Sequence, residues 1–320
     1  HFDVYRYFSI GLNKKIGYRA GIPTPVSAGR ILSKKLDILH VHAPFVSSIM
    51  AKSVSIRPHR SPTVFTYHTK FDIDIDARVK NKPIRKIARR IVLANINMAD
   101  EVWVVTETAA KSLRDLGYKG DYMVMENGTD FPRGKTDAKF LAEVCEKYGI
   151  PSDRLIFLFV GRMQWYKNIK LIIDTLKEVK GAGVAFQMYF IGDGNDRSDI
   201  ERYIKGTGMD DCISCLGAIY DRALVRAFCS RADLFLFPSV YDTSGLVVKE
   251  AAAAACPSLL IKGAAAAEGV EDGFSGLLAE ESPESCAKSV IDAVRSGRLA
   301  EMGLNAMEHV YLSWEDAVGK

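Results

Sequence analysis

The stretch LIFLFVGRMQWYKNIKLIIDTLKEVK, residues 155–180, decides the fold. Leu155–Gly161 is an apolar run of strand length that closes on a glycine. An unbroken apolar run without polar alternation is the mark of a strand buried on both faces. Lys167–Lys180 then changes period: Ile169, Ile172, Ile173, Leu176 and Val179 recur on one helical face. A buried strand, a glycine turn and an amphipathic helix together form the opening of a βαβ unit.

Working outward, the same alternation repeats along the chain. Strand candidates before this stretch are 37–41, 63–67, 101–106 and 122–125; those after it are 187–192, 212–217, 234–237, 258–261 and 276–279. Amphipathic runs separate them. The expected fold is α/β, with two Rossmann-like, doubly wound lobes. The chain of 320 residues is long enough for two ordinary cores. The turn Asn127-Gly128-Thr129-Asp130, followed by Pro132 and Gly149-Ile150-Pro151, marks the seam. The expected division is a first lobe over 1–131, a linker over 132–153, a second lobe over 154–310 and the start of a crossover helix over 311–320. The first lobe is expected to lack its first strand and loop, and both ends to have been cut from a longer chain.

Composition narrows the function classes. Hydrophobic residues make up 48% and charged residues 26%, a globular balance. No stretch approaches the ~20 apolar residues a membrane span requires. The net charge of +4 is too mild to argue for nucleic acid, and none is expected as a partner. The six cysteines are scattered among apolar neighbours, and His1-Phe2-Asp3-Val4 lacks a basic-then-apolar order. Both set the expectation of a cytoplasmic protein. Cys212 and Cys215 form a CxxC without a second pair or a nearby histidine, which reads as a short buried strand.

Four features of the second lobe carry chemistry. Gly161-Arg162 ends a strand and Lys167 follows at a helix start, so two cations sit where α/β sheets bind ligands and suit a diphosphate. The alternative is an exposed turn with two solvated cations. Gly192-Asp193-Gly194 ends the next strand and permits close backbone approach, or is only a tight turn. Phe237-Pro238-Ser239 runs into Asp242-Thr243-Ser244-Gly245-Leu246 and then a helix carrying Glu250. Backbone N–H groups at Gly245 and Leu246 would face an anion, and the two carboxylates suit sugar and ribose hydroxyls; the alternative is a helix cap and a surface glutamate. Glu268, in a glycine-rich segment at the same rim, contacts the ligand in one reading and caps a helix in the other, the cap being slightly preferred.

In combination and order these residues resemble family 4 of the glycosyltransferases, which have the GT-B architecture. Asn127-Gly128-Thr129-Asp130-Phe131, Gly161-Arg162 through Lys167-Asn168, and Pro238-Ser239 through Glu250 carry the resemblance. Val41-His42-Ala43-Pro44 and Tyr67-His68-Thr69 are similar to bacterial members that glucosylate diacylglycerol or related lipids. The resemblance implies that Arg162 and Lys167 clamp the donor diphosphate. It assigns Glu250 to the ribose, Asp242 to the transferred sugar and Gly245 and Leu246 to the diphosphate–sugar junction. His68 would reach toward the sugar. His42 ends a strand candidate; it lines the acceptor side in one reading and is a buried, hydrogen-bonded residue in the other. Gly161, Gly192, Gly194 and Ser244 would line the donor. The implied reaction moves a hexose from a nucleoside diphosphate sugar to a hydroxyl acceptor, with retention, no cofactor and no metal. Asp242 stands where the family has Glu, Ser244 where it has an aromatic residue, and the glycine-rich loop of the first strand is absent. A sugar-nucleotide epimerase and a non-catalytic GT-B partner remain open as other readings.

Two charged features complete the reading. Asp72, Asp74 and Asp76 have metal-binding Asp-x-Asp spacing but lie far from the cations. They are expected to form an acidic loop pairing with the basic helix that follows. That helix, over 78–90, carries Arg78, Lys80, Lys82, Arg85, Lys86, Arg89 and Arg90 beside Ile84, Ile87 and Ile91. It suits peripheral contact with an anionic membrane at the inner face of the cell, or a solvated face of a core helix.

Overall fold

The computed structural model describes residues 36–55 and 61–319, together with 4, 6, 8–11, 19–22, 29 and 34. The chain forms two compact units, His1–Glu126 and Asn127–Lys320.

In the first unit β1 (Ser9–Gly11) and β2 (Arg19–Gly21) form an antiparallel pair. Among the described residues the further elements are β3 (Leu39–Val41), α1 (Val46–Ser55), β4 (Thr63–Tyr67), α2 (Phe71–Arg78), α3 (Lys82–Ile96), β5 (Glu101–Val104), α4 (Glu107–Leu116) and β6 (Met123–Val124). Strands β3 to β6 make a parallel sheet in sequence order. Phe65, Tyr67, Val102, Val104, Ile96 and Leu113 fill its core. The expectation of a missing first strand falls largely on residues outside those described. The expected acidic loop at 72–76 is instead helix α2. Asp76 does pair with the next helix, through Arg89 at 2.6 Å and Arg85 at 3.6 Å. Asp72 accepts a hydrogen bond from Ser112 at 2.7 Å. The basic run is divided: Arg78 ends α2, Lys80 lies between, and α3 begins at Lys82, where Asn81 caps the Ile84 N–H and Pro83 occupies the first turn.

The second unit continues with α5 (Ala138–Tyr148), β7 (Leu155–Val160), α6 (Ile169–Gly181), β8 (Phe186–Ile191), α7 (Arg197–Gly206), β9 (Ile213–Gly217), α8 (Arg222–Arg231) and β10 (Leu234–Leu236). Then come α9 (Leu246–Ala253), β11 (Ser258–Ile261), β12 (Gly276–Ala279), α10 (Pro283–Ser296), α11 (Leu299–His309) and α12 (Trp314–Gly319). The six parallel strands are ordered β12-β11-β10-β7-β8-β9. Winding outward from β7 in both directions puts a topological switch point between β7 and β10, where doubly wound sheets open a crevice at their carboxyl ends. The strands are mostly apolar because helices cover both faces, and the polar Gln187 of β8 is satisfied by Ser214 of β9 at 3.1 Å. Phe157, Phe159, Phe190 and Phe235 are fully buried, and the predicted face of α6 (Ile169, Ile172, Ile173, Leu176, Val179) packs into the same core. The segment after Glu126 joins this unit: α5 packs on α8 through Tyr148 and Phe228, 5.1 Å between rings. Thr129 bonds to Leu312 and Trp314, holding the start of α12 against the Asn127 turn.

Candidate functional site

Both strands at the switch point release their chains into the site. After β7, Gly161 and Met163 are knitted to the turn after β8: Gly161 N–H donates to Ile191 O at 3.0 Å and Met163 N–H to Asp193 O at 3.0 Å. The two turns touch so closely that a Cβ on Gly192, whose φ is +146°, would lie 1.8 Å from Gly161 O. One on Gly194 would lie 2.4 Å from Met163 O. These glycines are therefore required for backbone approach, a stronger reason than a tight turn. Arg162, between Gly161 and Met163, is exposed, and its guanidinium has no ion-pair or hydrogen-bond partner among the described residues.

Lys167 behaves differently. It was expected to open the helix; it closes a short 3-10 turn, Trp165–Lys167, and α6 starts two residues later. Asn168 between them adopts φ +57° and donates to Pro238 O at 2.9 Å, tying the end of β7's loop to the loop after β10. The reading of Lys167 as a solvated cation does not hold: the residue is 8% exposed. Its ammonium lies 2.6 and 2.8 Å from the two carboxylate oxygens of Asp242. Tyr166 and Phe237 present their rings to it at 5.4 and 5.7 Å. An ammonium has three donors, so one remains for an anion. Asp242 is thus the counter-ion of Lys167, a partner that no local spacing disclosed.

Gly245 takes φ +56° and starts α9; a Cβ there would meet Ala266 at 2.7 Å. Among the described residues the N–H groups of Gly245 and Leu246 have no acceptor, which leaves two donors and the helix dipole open. Ser244 accepts from Asn127 Nδ2 at 3.2 Å, and Lys249 donates to Asn127 O at 2.9 Å, so the Asn127 turn buttresses this loop. Glu250 sits in the second turn of α9, bonded through Oε1 to Arg222 at 2.8 Å. Burial pushes its carboxyl above the usual glutamate range, and Arg222 pulls it back part of the way. Glu268 caps the short 3-10 turn Ala265–Ala267, as expected.

The structure therefore gathers Gly161, Lys167, Asp242 and the Gly192–Gly194 turn around the switch point. The two histidines of the resemblance belong to the first unit, where they meet each other. His42 Nδ1 and His68 Nε2 are 2.9 Å apart, and the His40 ring lies tilted against His42 at 4.2 Å between centroids. His40 was not singled out, although the signal was present. Residues 40 and 42 of a strand share a face, and the register of β3 on β4 brings that face beside Thr66 and His68. Burial, then His42, then His40 lower the His68 pKa to about 4, so the imidazole is neutral at pH 7. Its NMR midpoint is expected near that value and to rise in His42→Gln. Since folding disfavours the charged ring, the stability of this unit is intact above pH 6.5 and falls as pH drops from there toward 4. A His68 midpoint at the ordinary value would contradict this.

Comparison with known proteins follows the same division. Residues 142–308 match the family described as "Glycosyl transferases group 1", and residues 3–133 match "Glycosyltransferase Family 4". The chain is 24% identical over 259 residues to alpha-monoglucosyldiacylglycerol synthase of Acholeplasma laidlawii, covering 78% of this chain and 65% of that protein. It is 26% identical to alpha-D-kanosaminyltransferase of Streptomyces kanamyceticus, over 61% of this chain and 48% of that one. It thus spans less than two thirds of either relative. Among solved structures, Anabaena HepE in complex with UDP-glucose aligns with a TM-score of 0.74 at 18% identity, over 88% of this chain and 76% of that one. Sucrose-phosphate synthase of Thermosynechococcus elongatus also scores 0.74, at 19% identity, over 92% and 76%. These likenesses show the two-sheet α/β fold of the GT-B glycosyltransferases.

Proposed function

The chain belongs to the glycosyl transferases group 1, and on that premise we propose that it moves a hexose, with retention, from a nucleoside diphosphate sugar to a hydroxyl acceptor. The acceptor in this reading is a lipid such as diacylglycerol. The observation that carries the proposal is the ion-paired Lys167 at the switch point, with one ammonium donor left over, in the same loop as Arg162, whose guanidinium has no partner among the described residues. The barrier in such a transfer is departure of a diphosphate from an anomeric carbon. Fixed positive charge aimed at the leaving oxygen is commonly the largest catalytic term. Arg162, the remaining donor of Lys167 and the open N–H groups of Gly245 and Leu246 supply it without a metal. Among the described residues none stands out as a covalent nucleophile, so the reading takes a front-side attack in which the departing phosphate accepts the acceptor's proton. UDP-glucose in the HepE complex and the lipid product named for the Acholeplasma enzyme support the donor and acceptor classes.

A thermal-shift screen against nucleotides and nucleotide sugars tests the donor. Ligand at a hundredfold its Kd stabilises the fold by about 2.7 kcal/mol. Transfer of label from the stabilising donor to diacylglycerol then tests the reaction. Conversion to an epimer without acceptor, or binding without turnover, would replace the transferase reading.

The membrane belongs to the same proposal. On α3, Ile84, Ile87 and Ile91 share one face yet are 56%, 56% and 53% exposed, while the core takes Val92 and Ile96. Lys82, Lys86 and Arg90 are exposed beside them, whereas Arg85 and Arg89 are occupied by Asp76. Apolar side chains flanked by cations suit the interface of an anionic bilayer, each cation adding ~1 kcal/mol. Replacing all three isoleucines by serine is expected to weaken sedimentation with phosphatidylglycerol vesicles by about tenfold or more, from the lost apolar burial. Unchanged sedimentation would remove the membrane from the proposal.

A further inference from the structure

Arg222 has no counterpart among the residues the sequence singled out, yet it organises one side of the site. It opens α8, immediately after Asp221 caps that helix through the Ala223 and Leu224 N–H groups. Its Nη2 donates both to Glu250 Oε1, at 2.8 Å, and to Asp130. Its guanidinium carbon sits 4.2 Å from the ring centroid of Phe131, itself 3% exposed. Two carboxylates and a buried aromatic face thus fix one planar cation from three sides. The Glu250 side chain is 13% exposed, and among the described residues its Oε2 accepts nothing.

We propose that Arg222 is a positioning residue of the ribose subsite: it holds Oε1 of Glu250 and thereby aims Oε2 at the hydroxyl pair of a nucleotide ribose. The inference rests on the assignment of Glu250 to the ribose under the proposed function. A carboxylate accepts from two hydroxyls only while ionised, and burial works against ionisation here. The charged and titratable groups acting on Glu250 are Arg222, which favours its ionised form, and Asp130, which opposes it. Cys229, on α8, is fully buried and stays protonated. Arg222 satisfies both acids at once, so the cluster carries one net negative charge instead of two. Lysine at this position would keep the charge but lose the planar fork and its stacking on Phe131.

Titration calorimetry of the full chain against three ribo/2′-deoxy pairs, UDP, GDP and ADP with their 2′-deoxy analogues, tests the proposal. The native chain is expected to favour the ribonucleotide of its preferred pair by about tenfold or more, the loss on leaving a buried acceptor unmatched. Arg222→Ala should reduce that preference below about threefold, since the unaimed acid loses most of one such hydrogen bond. The ratio of its ribonucleotide affinity to that of the native chain should also climb as pH rises, whereas a variant that keeps Glu250 ionised gives a ratio with a flat pH profile. Arg222→Lys should restore the flat pH profile and part of the preference. Asp130→Asn, which lacks only the outer acid, guards against a fold defect in Arg222→Ala and should lower the preference without creating the pH slope. Glu250→Ala separates the two levels of the argument. Loss of the preference in Glu250→Ala but not in Arg222→Ala overturns the role of Arg222 alone. Retention in both overturns the assignment of Glu250 as well. Absence of binding by the native chain to any pair overturns the nucleotide site itself.

Discussion

Turnover is expected to fall at least about a hundredfold when Lys167 is replaced by alanine, and by a similar factor for Arg162→Ala, the scale seen when one preorganised charge partner of a transition state is removed. The two variants should differ in kind. Arg162 is exposed and its guanidinium has no partner among the described residues, so its loss is expected to remove charge from the proposed leaving group and nothing from the fold. Lys167 is buried and paired, and its loss strands the Asp242 carboxylate, whose side chain is 24% exposed. The site then presents a negative charge where the proposed diphosphate would sit. Lys167→Ala should therefore weaken nucleotide binding as well as kcat, and lower stability; adding Asp242→Asn should restore stability and part of the binding but not the rate. Near-normal rates in both single variants would remove the diphosphate from this end of the sheet.

Why the fold was legible and the pairing was not follows from the same residues. Parallel strands covered on both faces are mostly apolar, so Leu155–Val160, Phe186–Ile191 and Ser258–Ile261 announce themselves locally. Helix α2 did not: Asp72, Asp74 and Asp76 alternate with Ile73 and Ile75, a period of two that hides a helix. Its acids become intelligible only when α3 delivers Arg85 and Arg89 to Asp76. In the site, the backbone roles of Gly192 and Gly245 left a trace, because glycine has few other reasons to end a strand or open a helix. Lys167 and Asp242 stand 75 residues apart and meet only because β10 lies beside β7. That adjacency is a property of the strand order, and no local period encodes it. The same holds for Arg222 and Glu250, separated by 28 residues and joined by the crossing of α8 and α9.

Gly192→Ala is expected to cost about 3 kcal/mol of stability, the sum of backbone strain and overpacking, and to abolish nucleotide binding even at temperatures where the chain stays folded. At φ +146° an L-residue is strained whatever the space around it, and here the added carbon would fall 1.8 Å from Gly161 O. Neither party can yield cheaply. Gly192 N–H is spent on Gly217 O at 2.8 Å, and Gly161 N–H on Ile191 O at 3.0 Å. The next bonds, Met163 to Asp193 and Trp165 to the Asp196 carboxylate, carry the Arg162 turn on the same scaffold. Any shift that admits the methyl group must move the peptide that bears Arg162. Gly183→Ala is the control: its φ of +81° imposes comparable backbone strain, but no atom lies within 4 Å of the added carbon and the residue lies on the far side of α6 from the turn. It should lose stability by strain alone, about 1 kcal/mol, and keep its nucleotide affinity. Denaturant unfolding and titration with the donor found in the thermal-shift screen read both quantities. Equal losses of affinity in the two variants would show that destabilisation, and not the seating of Arg162 by Gly192, governs binding.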